Sequence, residues 1–293
     1  MDNINTDAYK VTQPIALAAH ATLIQTDATE EQLEQRLEEL GKKIAKIQEK
    51  MYAQGKYGVL IGLQGMDTSG KDSLIREVFK EFNVRGVVVH SFKQPTELEL
   101  KHDYLWRHYL ALPERGKFAI FNRTHYENVL VTRVHPEYIL GENLPDVKQV
   151  SDVNTAFWAR RFAQIENFEN HVVQNGTIVL KFFLHLSKEE QRQRLLRRLE
   201  EEKHNWKFSP GDLKERALWE DYQRCYEDAI NRTSTAVAPW YVIPADNKDA
   251  ARVLFAEILL AELKKYKDID EPELDDKVKA NIAEYRKQLT SEQ

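Results

Sequence analysis

Short, mostly apolar runs alternate along the chain with stretches in which apolar residues recur every three or four positions. The first pattern predicts buried β-strands, and the second predicts amphipathic helices. Five runs predict strands: YGVLIGL, GVVVHSF, KFAIFN, TIVLKFFLHL and PWYVIPA. Because helical patterns separate these runs, we predict a parallel sheet with helices on both faces. The predicted fold class is therefore α/β.

The helical segments between the strands carry start signals of their own. Thr96 and Glu99 have the spacing of a capping box, and so do Ser187 and Glu190 after the fourth strand. Before the fourth strand we predict helices over residues 69–82, over 96–112, from about 124, and over 151–176.

A longer helix precedes the first strand. Thr29 and Gln32 form a predicted capping box at its start, and Gly55 is a candidate stop signal. Its apolar residues alternate by four and three, and they are Leu33, Leu37, Leu40, Ile44, Ile47 and Met51. This stripe either packs against the main core or forms a coiled coil between subunits.

Composition and charge exclude several classes of function. The hydrophobic fraction of 42% and the charged fraction of 30% are typical of a soluble globular protein. A net charge of −5 gives no sign of nucleic-acid binding. Cys225 is the only cysteine, so no intrachain disulfide forms. With no signal peptide pattern and no apolar run of membrane-spanning length, we expect a cytoplasmic protein without a membrane role.

The segment that follows the first strand indicates phosphate binding. It reads GMDTSGK from Gly65 to Lys71 and leads directly into a predicted helix. Gly65 and Gly70 permit backbone conformations that a Cβ would crowd, so that loop N–H groups can point inward. The helix start adds its positive dipole end, and Lys71 adds a point charge. A phosphate-binding loop is the favoured interpretation, and an ordinary turn is the alternative.

Two acids in this loop require a further explanation. Asp72 stands where nucleotide-hydrolysing loops carry Ser or Thr, and Asp67 lies inside the loop. Carboxylates repel phosphates unless a metal ion lies between them, and Mg²⁺ prefers oxygen ligands. We therefore predict that Asp67 binds Mg²⁺, with Mn²⁺ as a substitute. Asp72 either completes the metal shell or is an acid favoured by the helix dipole.

Further candidates lie at strand ends, where open parallel sheets bind ligands. Lys93 follows the second strand, and Asn122, Arg123, Glu127 and Arg133 follow the third. Phosphoryl transfer requires cations that take up charge in the transition state, and Arg123 is the strongest candidate for that task. For Arg133 a structural ion pair is the alternative.

A helix rich in arginine and glutamate follows the fourth strand. Arg192, Arg194, Arg197 and Arg198 share it with several glutamates, and Lys207 follows in a predicted turn. Mixed charge of this kind is typical of a solvated helix face. The alternative is a lid whose arginines close over transferring phosphates.

Seven segments together resemble the polyphosphate kinase 2 family over about residues 30–265. They are GMDTSGKDS, SFKQPTELELKHDYLWRHYLALP, IFNRTHYENVLVTRVHPEY, FWARRFAQIENFE, NGTIVLKFFLHLSKEEQ, NWKFSPGDLKER and APWYVIPADNK. Asn122 in IFNRTHYENV is similar to the third class of that family. The resemblance implies a P-loop kinase fold and Mg²⁺-dependent phosphoryl transfer between inorganic polyphosphate and nucleotides. It also implies homodimers or homotetramers.

The third class implies that both AMP and ADP are acceptors, so that AMP is carried to ATP; guanine nucleotides are further candidates. Two other functions stay open, an ATP-dependent kinase of a nucleotide or small metabolite and a nucleotide sensor without turnover. The predicted parts are an arm and helix over 1–54, a P-loop kinase core over 55–267 with a lid at about 188–212, and a charged tail over 268–293.

The resemblance assigns roles residue by residue. Asp67, Lys71 and Arg123 are expected to be catalytic, and Asn122 and Glu127 to bind the nucleotide. Thr68 and Ser69 replace two alanines common in the family, at positions that contribute mainly backbone. From the residue patterns and the resemblance together, the expected phosphate-binding residues are Gly65, Thr68, Ser69, Gly70, Lys71, Asp72, Lys93, Arg133, Arg194 and Arg198.

Overall fold

The computed structural model describes residues 4–291 and contains one parallel sheet. The strands are Gly58–Gly65 (β1), Val87–Ser91 (β2), Phe118–Asn122 (β3), Thr177–His185 (β4) and Trp240–Pro244 (β5). Their order across the sheet is β2-β3-β1-β4-β5, and each neighbouring pair is parallel. All five predicted strands and the α/β class are confirmed.

Helices cover both faces of this sheet. They are Glu30–Gln54 (α1), Lys71–Val78 (α2), Glu97–Leu100 (α3), Trp106–Leu110 (α4), Val131–Val134 (α5), Thr155–Gln174 (α6), Lys188–Glu200 (α7), Pro210–Ala217 (α8), Trp219–Thr233 (α9), Lys248–Leu263 (α10) and Asp276–Thr290 (α11). The hydrophobic core on one face includes residues of α1, α2 and α10, and the core on the other face includes residues of α6 and α9. The carboxyl edge of the sheet stays open between these layers.

Helix α1 packs against the main core, as the first alternative for its apolar stripe predicted. Leu40 and Ile44 are fully buried, and the helix lies along α10. Both hydrogen bonds of the capping box between Thr29 and Gln32 are present, and Gly55 ends the helix in a left-handed conformation. The local start and stop signals were therefore sufficient to define this helix.

The amino-terminal arm is docked on the core and is not a free extension. The Val11 amide donates to the Trp240 carbonyl at 2.9 Å, and the Leu17 amide donates to the Glu227 carboxylate at 2.7 Å. Leu17 is itself fully buried. The weak pattern of the first 25 residues did not predict this docking.

Two predicted helices were wrong in extent. Residues 96–112 form two short helices, α3 and α4, because the Asp103 carboxylate accepts from the Leu105 amide at 2.8 Å and starts a new turn. The helix predicted from Thr124 is a 3₁₀ turn over His125–Val129, followed by α5 and a second 3₁₀ segment that starts at Pro136. Pro136 has no backbone N–H, so it cannot donate the hydrogen bond that would continue α5 into a longer helix.

Two helix starts also differ from the sequence patterns. Helix α6 begins at Thr155 rather than 151, because the Asn154 side chain accepts from two amides of the first turn. Ser187 caps α7, but the Glu190 carboxylate pairs with Arg194 instead of completing a capping box.

Helix α11 forms within the charged tail and has no buried residue. Within residues 4–291 no helix combines the length and apolar character needed to span a membrane.

Candidate active site

The predicted phosphate-binding loop connects β1 to α2 and depends on its glycines. A Cβ on Gly65 would lie 2.7 Å from the Ser69 hydroxyl oxygen and 2.9 Å from the Leu184 carbonyl oxygen. Gly70 has a φ of +104°, which L side chains rarely adopt. Thr68 also has a positive φ, of 66°. A Cβ at Gly65 would therefore clash with its neighbours, and a side chain at Gly70 would strain the backbone.

Lys71 is buried and folds back over its own loop. Its Nζ donates to the Gly65 carbonyl at 2.7 Å and, over longer distances, to the Met66 carbonyl and the Ser69 hydroxyl. Burial and the nearby Arg123 charge lower the pKa of Lys71 to about 8, although neighbouring carboxylates oppose the shift. An anion in the loop would stabilise the charged ammonium and raise that pKa again.

Arg123 lies between two carboxylates at the end of β3. One guanidinium nitrogen is 2.8 Å from Asp67 Oδ1, and another is 3.4 Å from Glu127 Oε2. Arg123 has a φ of +60°, and its amide donates to the Leu63 carbonyl at the end of β1. Because Glu127 and Asp67 stabilise the cation, the pKa of Arg123 is raised above its ordinary value. The guanidinium is thus fixed beside the loop.

Asp72 and Asn122 join the start of α2 to the end of β3. Asn122 Nδ2 donates to Asp72 Oδ1 at 2.6 Å. The amide side chain at position 122 therefore complements the acid at position 72, whereas a second carboxylate there would repel it. This pair gives a physical reason for the Asp and Asn that the sequence carries at these positions.

Two cavities open at the carboxyl edge of the sheet. The first, which we call the loop cleft, has a volume of about 550 Å³ and is lined by the loop from Asp67 to Ser73, by Lys93 and Asn122, and by α7. Eight lysines and arginines line it, against three carboxylates. This excess of positive charge attracts anions.

The second cavity, the side cavity, has a volume of about 780 Å³ and the opposite character. Seven carboxylates line it, together with the aromatic rings of Phe92, Tyr104, Tyr138, Tyr222 and Tyr226. Volumes of 300–1,000 Å³ are typical of small-molecule sites.

The two cavities meet at a shared wall. Asp67, Phe92, Lys93 and Arg123 line both of them. We call this wall the junction. Glu127 lies on its side-cavity side, where Gln64 Nε2 donates to its carboxylate at 3.0 Å.

Three arginines of α7, Arg194, Arg197 and Arg198, line the loop cleft but have protein partners. Arg194 is buried; it pairs with Glu190 at 2.7 Å and donates to the carbonyls of Thr68, Ala245 and Asp246. This guanidinium therefore braces the loop against β5, so its predicted phosphate contact is not supported by its hydrogen bonds.

Arg198 also has protein partners. It pairs with Asp212 at 3.1 Å and donates to the Lys207 carbonyl, which ties α7 to the segment leading into α8. Arg198 and Lys207 both line the loop cleft, so these two predicted cations do face it.

Arg133 does not line either cavity. It forms an ion pair with Asp228 at 2.6 Å and lies over the rings of Trp158 and Phe162. The predicted phosphate contact is therefore not supported, and the alternative of a structural ion pair describes its position. Its place shortly after β3 was misleading because α5 turns the side chain towards α9.

Sequence reasoning missed three residues of the site. Gln64 is buried and positions Glu127, and Gln191 Nε2 donates to the Asp67 carbonyl at 3.0 Å. No local signal marks either glutamine. Lys248, by contrast, lines the loop cleft shortly after β5, where the strand-end rule applied to the fifth strand would have found it.

Comparisons with known proteins identify the family of the chain. A family model described as polyphosphate kinase 2 matches residues 27–271. An ADP-polyphosphate phosphotransferase of Rhodopseudomonas palustris is 41% identical over 247 residues, 84% of each chain. An AMP/ADP-polyphosphate phosphotransferase of Meiothermus ruber is 47% identical over 224 residues, 76% of this chain and 78% of the relative.

The fold comparison gives the same result. The crystal structure of polyphosphate kinase 2 from Arthrobacter aurescens aligns with a TM-score of 0.86 at 33% identity and covers 96% of both chains. This match confirms the predicted P-loop kinase fold. The sequence and structural matches span most of the chain, which therefore belongs to the polyphosphate kinase 2 family.

Proposed function

We propose that this protein transfers phosphoryl groups between inorganic polyphosphate and the adenine nucleotides AMP and ADP, in the direction of ATP. The observation that carries the proposal is the junction, where a cationic cleft and an acidic, aromatic cavity meet at Asp67 and Arg123. The names of the relatives from Rhodopseudomonas palustris and Meiothermus ruber support polyphosphate and these acceptors.

The loop cleft is the donor site in this proposal. Polyphosphate carries about one negative charge per unit, so it needs a line of cations on a protein whose net charge is −5. The loop cleft supplies that line through Lys71, Lys93 and the basic residues of α7. Backbone N–H groups of the loop and the start of α2 add further positive potential.

The side cavity is the acceptor site. Carboxylates accept hydrogen bonds from ribose hydroxyls, and aromatic rings pack against a base. The cavity supplies both, and Glu127 lies between it and Arg123. A nucleotide bound there would present its phosphate to the junction. Guanine nucleotides are a further class of acceptor that this cavity has the volume to hold.

The residues present fit a Mg²⁺ ion that is shared with substrate phosphates. Within residues 4–291 no group of three or more His, Cys, Asp or Glu side chains is arranged as a metal site. Mg²⁺ usually takes one or two carboxylates, several waters and substrate phosphates, so a preformed cage is not required. Asp67 would hold it, since Arg123 occupies only its Oδ1 among the described side chains. The ion, or Mn²⁺ in its place, neutralises phosphate charge when bound.

The chain's own residues then orient the two phosphates and stabilise charge. Arg123 is held by Asp67 and Glu127, so its remaining N–H groups can face the transferring group without reorganisation. Lys71 stabilises charge on the donor side. The acceptor phosphate is already an anion at neutral pH, so no strong general base is needed, and alignment of the two substrates supplies much of the rate.

Two wider expectations accompany this proposal. We propose a homodimer or homotetramer, because such assemblies are implied by the family resemblance. We also propose the cytoplasm as its location, since the one cysteine, Cys225, is buried and unpaired.

Nucleotide analysis tests the function. The protein is mixed with long-chain polyphosphate, Mg²⁺ and either AMP or ADP, and products are followed by chromatography. ATP from ADP and ADP from AMP are expected. Turnover of ADP alone would remove the assignment to the third class, and ATP-dependent turnover without polyphosphate would favour the alternative kinase. Parallel reactions with GMP and GDP test the base preference.

Two variants test the residues of the junction. Lys71→Ala and Asp67→Asn should each lose at least about a hundredfold in kcat while the fold is kept, since each removes charge stabilisation at the reacting phosphates. Circular dichroism is the control for folding. Near-normal turnover of Asp67→Asn would contradict its assigned role.

A further inference from the structure

Lys248 is a basic residue of the loop cleft for which the described part of the chain provides no hydrogen-bond or ion-pair partner. It is the first residue of α10, four positions after Pro244 at the end of β5, and it is half-buried. Among the described side chains it forms neither a hydrogen bond nor an ion pair, although it lines the loop cleft. A partly desolvated ammonium without a counter-ion is unfavourable unless an anion is bound nearby.

The arginines around Lys248 each have an ion-pair partner. Arg194 and Arg197 both pair with Glu190, and Arg252 pairs with Asp249. Burial and these three cations lower the pKa of Lys248 to about 8, because they disfavour a further positive charge, although Glu190 opposes the shift. Each of these arginines therefore has a carboxylate partner within ion-pair distance, whereas among the described side chains Lys248 has none.

The position of Lys248 separates it from the reaction centre. Arg123 of the junction follows β3, and Lys248 follows β5, three strand positions away in the order β3-β1-β4-β5. Strands are spaced by about 4.8 Å, so these strand ends are about 14 Å apart. That separation exceeds the reach of one lysine side chain. Lys248 lies among charged residues of α7 and α10, namely Arg194, Arg197, Arg252 and Glu190, so it is placed to contact another unit of the chain than the one beside Arg123.

We propose that Lys248 forms a distal donor subsite that binds phosphate units well behind the transferred one and so favours long polyphosphate over short chains. The inference rests on the proposed function, because it assigns the loop cleft to the donor. It adds a residue that selects substrate length. Only a linear polyanion can occupy the loop and this subsite at the same time.

Steady-state kinetics with two donors test the inference. Lys248→Gln removes the charge and keeps most of the side-chain length, and Lys264→Gln, at the other end of α10 and exposed, is the matched control. With ADP as acceptor, Lys248→Gln should raise the KM for long-chain polyphosphate about tenfold, which is the size expected for one lost charge-assisted contact. The KM for tripolyphosphate should rise less than about twofold.

The outcomes of these measurements support or overturn the subsite at Lys248. Recovery of the long-chain KM in Lys248→Arg supports a charge contact rather than a structural role. An equal rise in KM for both donors, or no rise for either, overturns the length-selecting subsite while the proposed function stands. If the unsubstituted protein does not turn over polyphosphate at all, the proposed function itself fails, and this inference fails with it.

Discussion

Replacement of Arg194 by methionine tests whether this buried arginine is a brace of the site or a ligand of the substrate. The guanidinium donates to the carbonyls of Thr68, Ala245 and Asp246 at 3.0, 2.6 and 3.0 Å. It also pairs with Glu190 at 2.7 Å. Methionine fills a similar volume but leaves these acceptors without their donor.

The structure sets the size of the effect. Removing one partner of a buried ion pair costs about 3–5 kcal/mol, and each unsatisfied buried carbonyl adds to that cost. Glu190 is partly exposed and keeps Arg197, so we expect the low end, about 3 kcal/mol. For a chain of this size that corresponds to a fall in Tm of roughly 6–12 °C.

Calorimetry without substrate measures this effect, and Arg197→Met is the matched control. Arg197 is on the same helix, pairs with the same Glu190 at 3.0 Å and lines the same cleft, but its side chain is 51% exposed. Its replacement should cost no more than about 1 kcal/mol. Equal Tm values for the two variants, with polyphosphate affinity lost only in Arg194→Met, would refute the brace and support the phosphate contact predicted from the sequence.

Three further changes test other parts of the structure. Gly65→Ala should abolish turnover, because its Cβ would lie 2.9 Å from the Leu184 carbonyl oxygen; retained kcat in the nucleotide assay would show that the loop adapts. Lys181→Met should lower the free energy of unfolding by about 3–5 kcal/mol, since it leaves the buried Glu169 without the ammonium 2.6 Å away, as urea denaturation would measure. Removal of residues 272–293 should leave Tm unchanged, because no residue of α11 is buried, and a clear fall in Tm would show that α11 packs against another surface.

A surface pair provides the control for Lys181→Met. Lys188 and Glu220 are 3.4 Å apart and largely exposed, so Lys188→Met should change stability by less than about 1 kcal/mol. If Lys181→Met and Lys188→Met lower the free energy of unfolding by the same small amount, the buried pair of Lys181 and Glu169 does not stabilise the fold.

The features that sequence reasoning predicted correctly depend on short-range patterns. The buried strands, the capping box of Thr29 and Gln32, and the glycine loop are each encoded within a few neighbouring residues. The rule that ligands bind at the carboxyl ends of parallel strands then brought Asp67, Lys71 and Arg123 together correctly.

The features that were missed depend on contacts between distant segments. The docking of Leu17 on Glu227 joins residues 210 positions apart, and the bond from Arg194 to Thr68 joins residues 126 positions apart. The charge pattern of α7 showed an arginine-rich helix, but it did not show which arginine points inward. Burial of Arg194 and pairing of Arg133 with Asp228 are consequences of tertiary packing that spacing alone does not encode.

In the proposed arrangement, polyphosphate occupies the loop cleft, the nucleotide occupies the side cavity, and the two meet at the junction. A crystal structure with AMP, Mg²⁺ and a non-transferable methylene-bridged polyphosphate tests this most directly. We expect the polyanion to extend from Lys71 towards Lys248, AMP to lie among the carboxylates and tyrosines, and the AMP phosphate to lie between Asp67 and Arg123. AMP bound in the loop cleft with the polyanion elsewhere would contradict it.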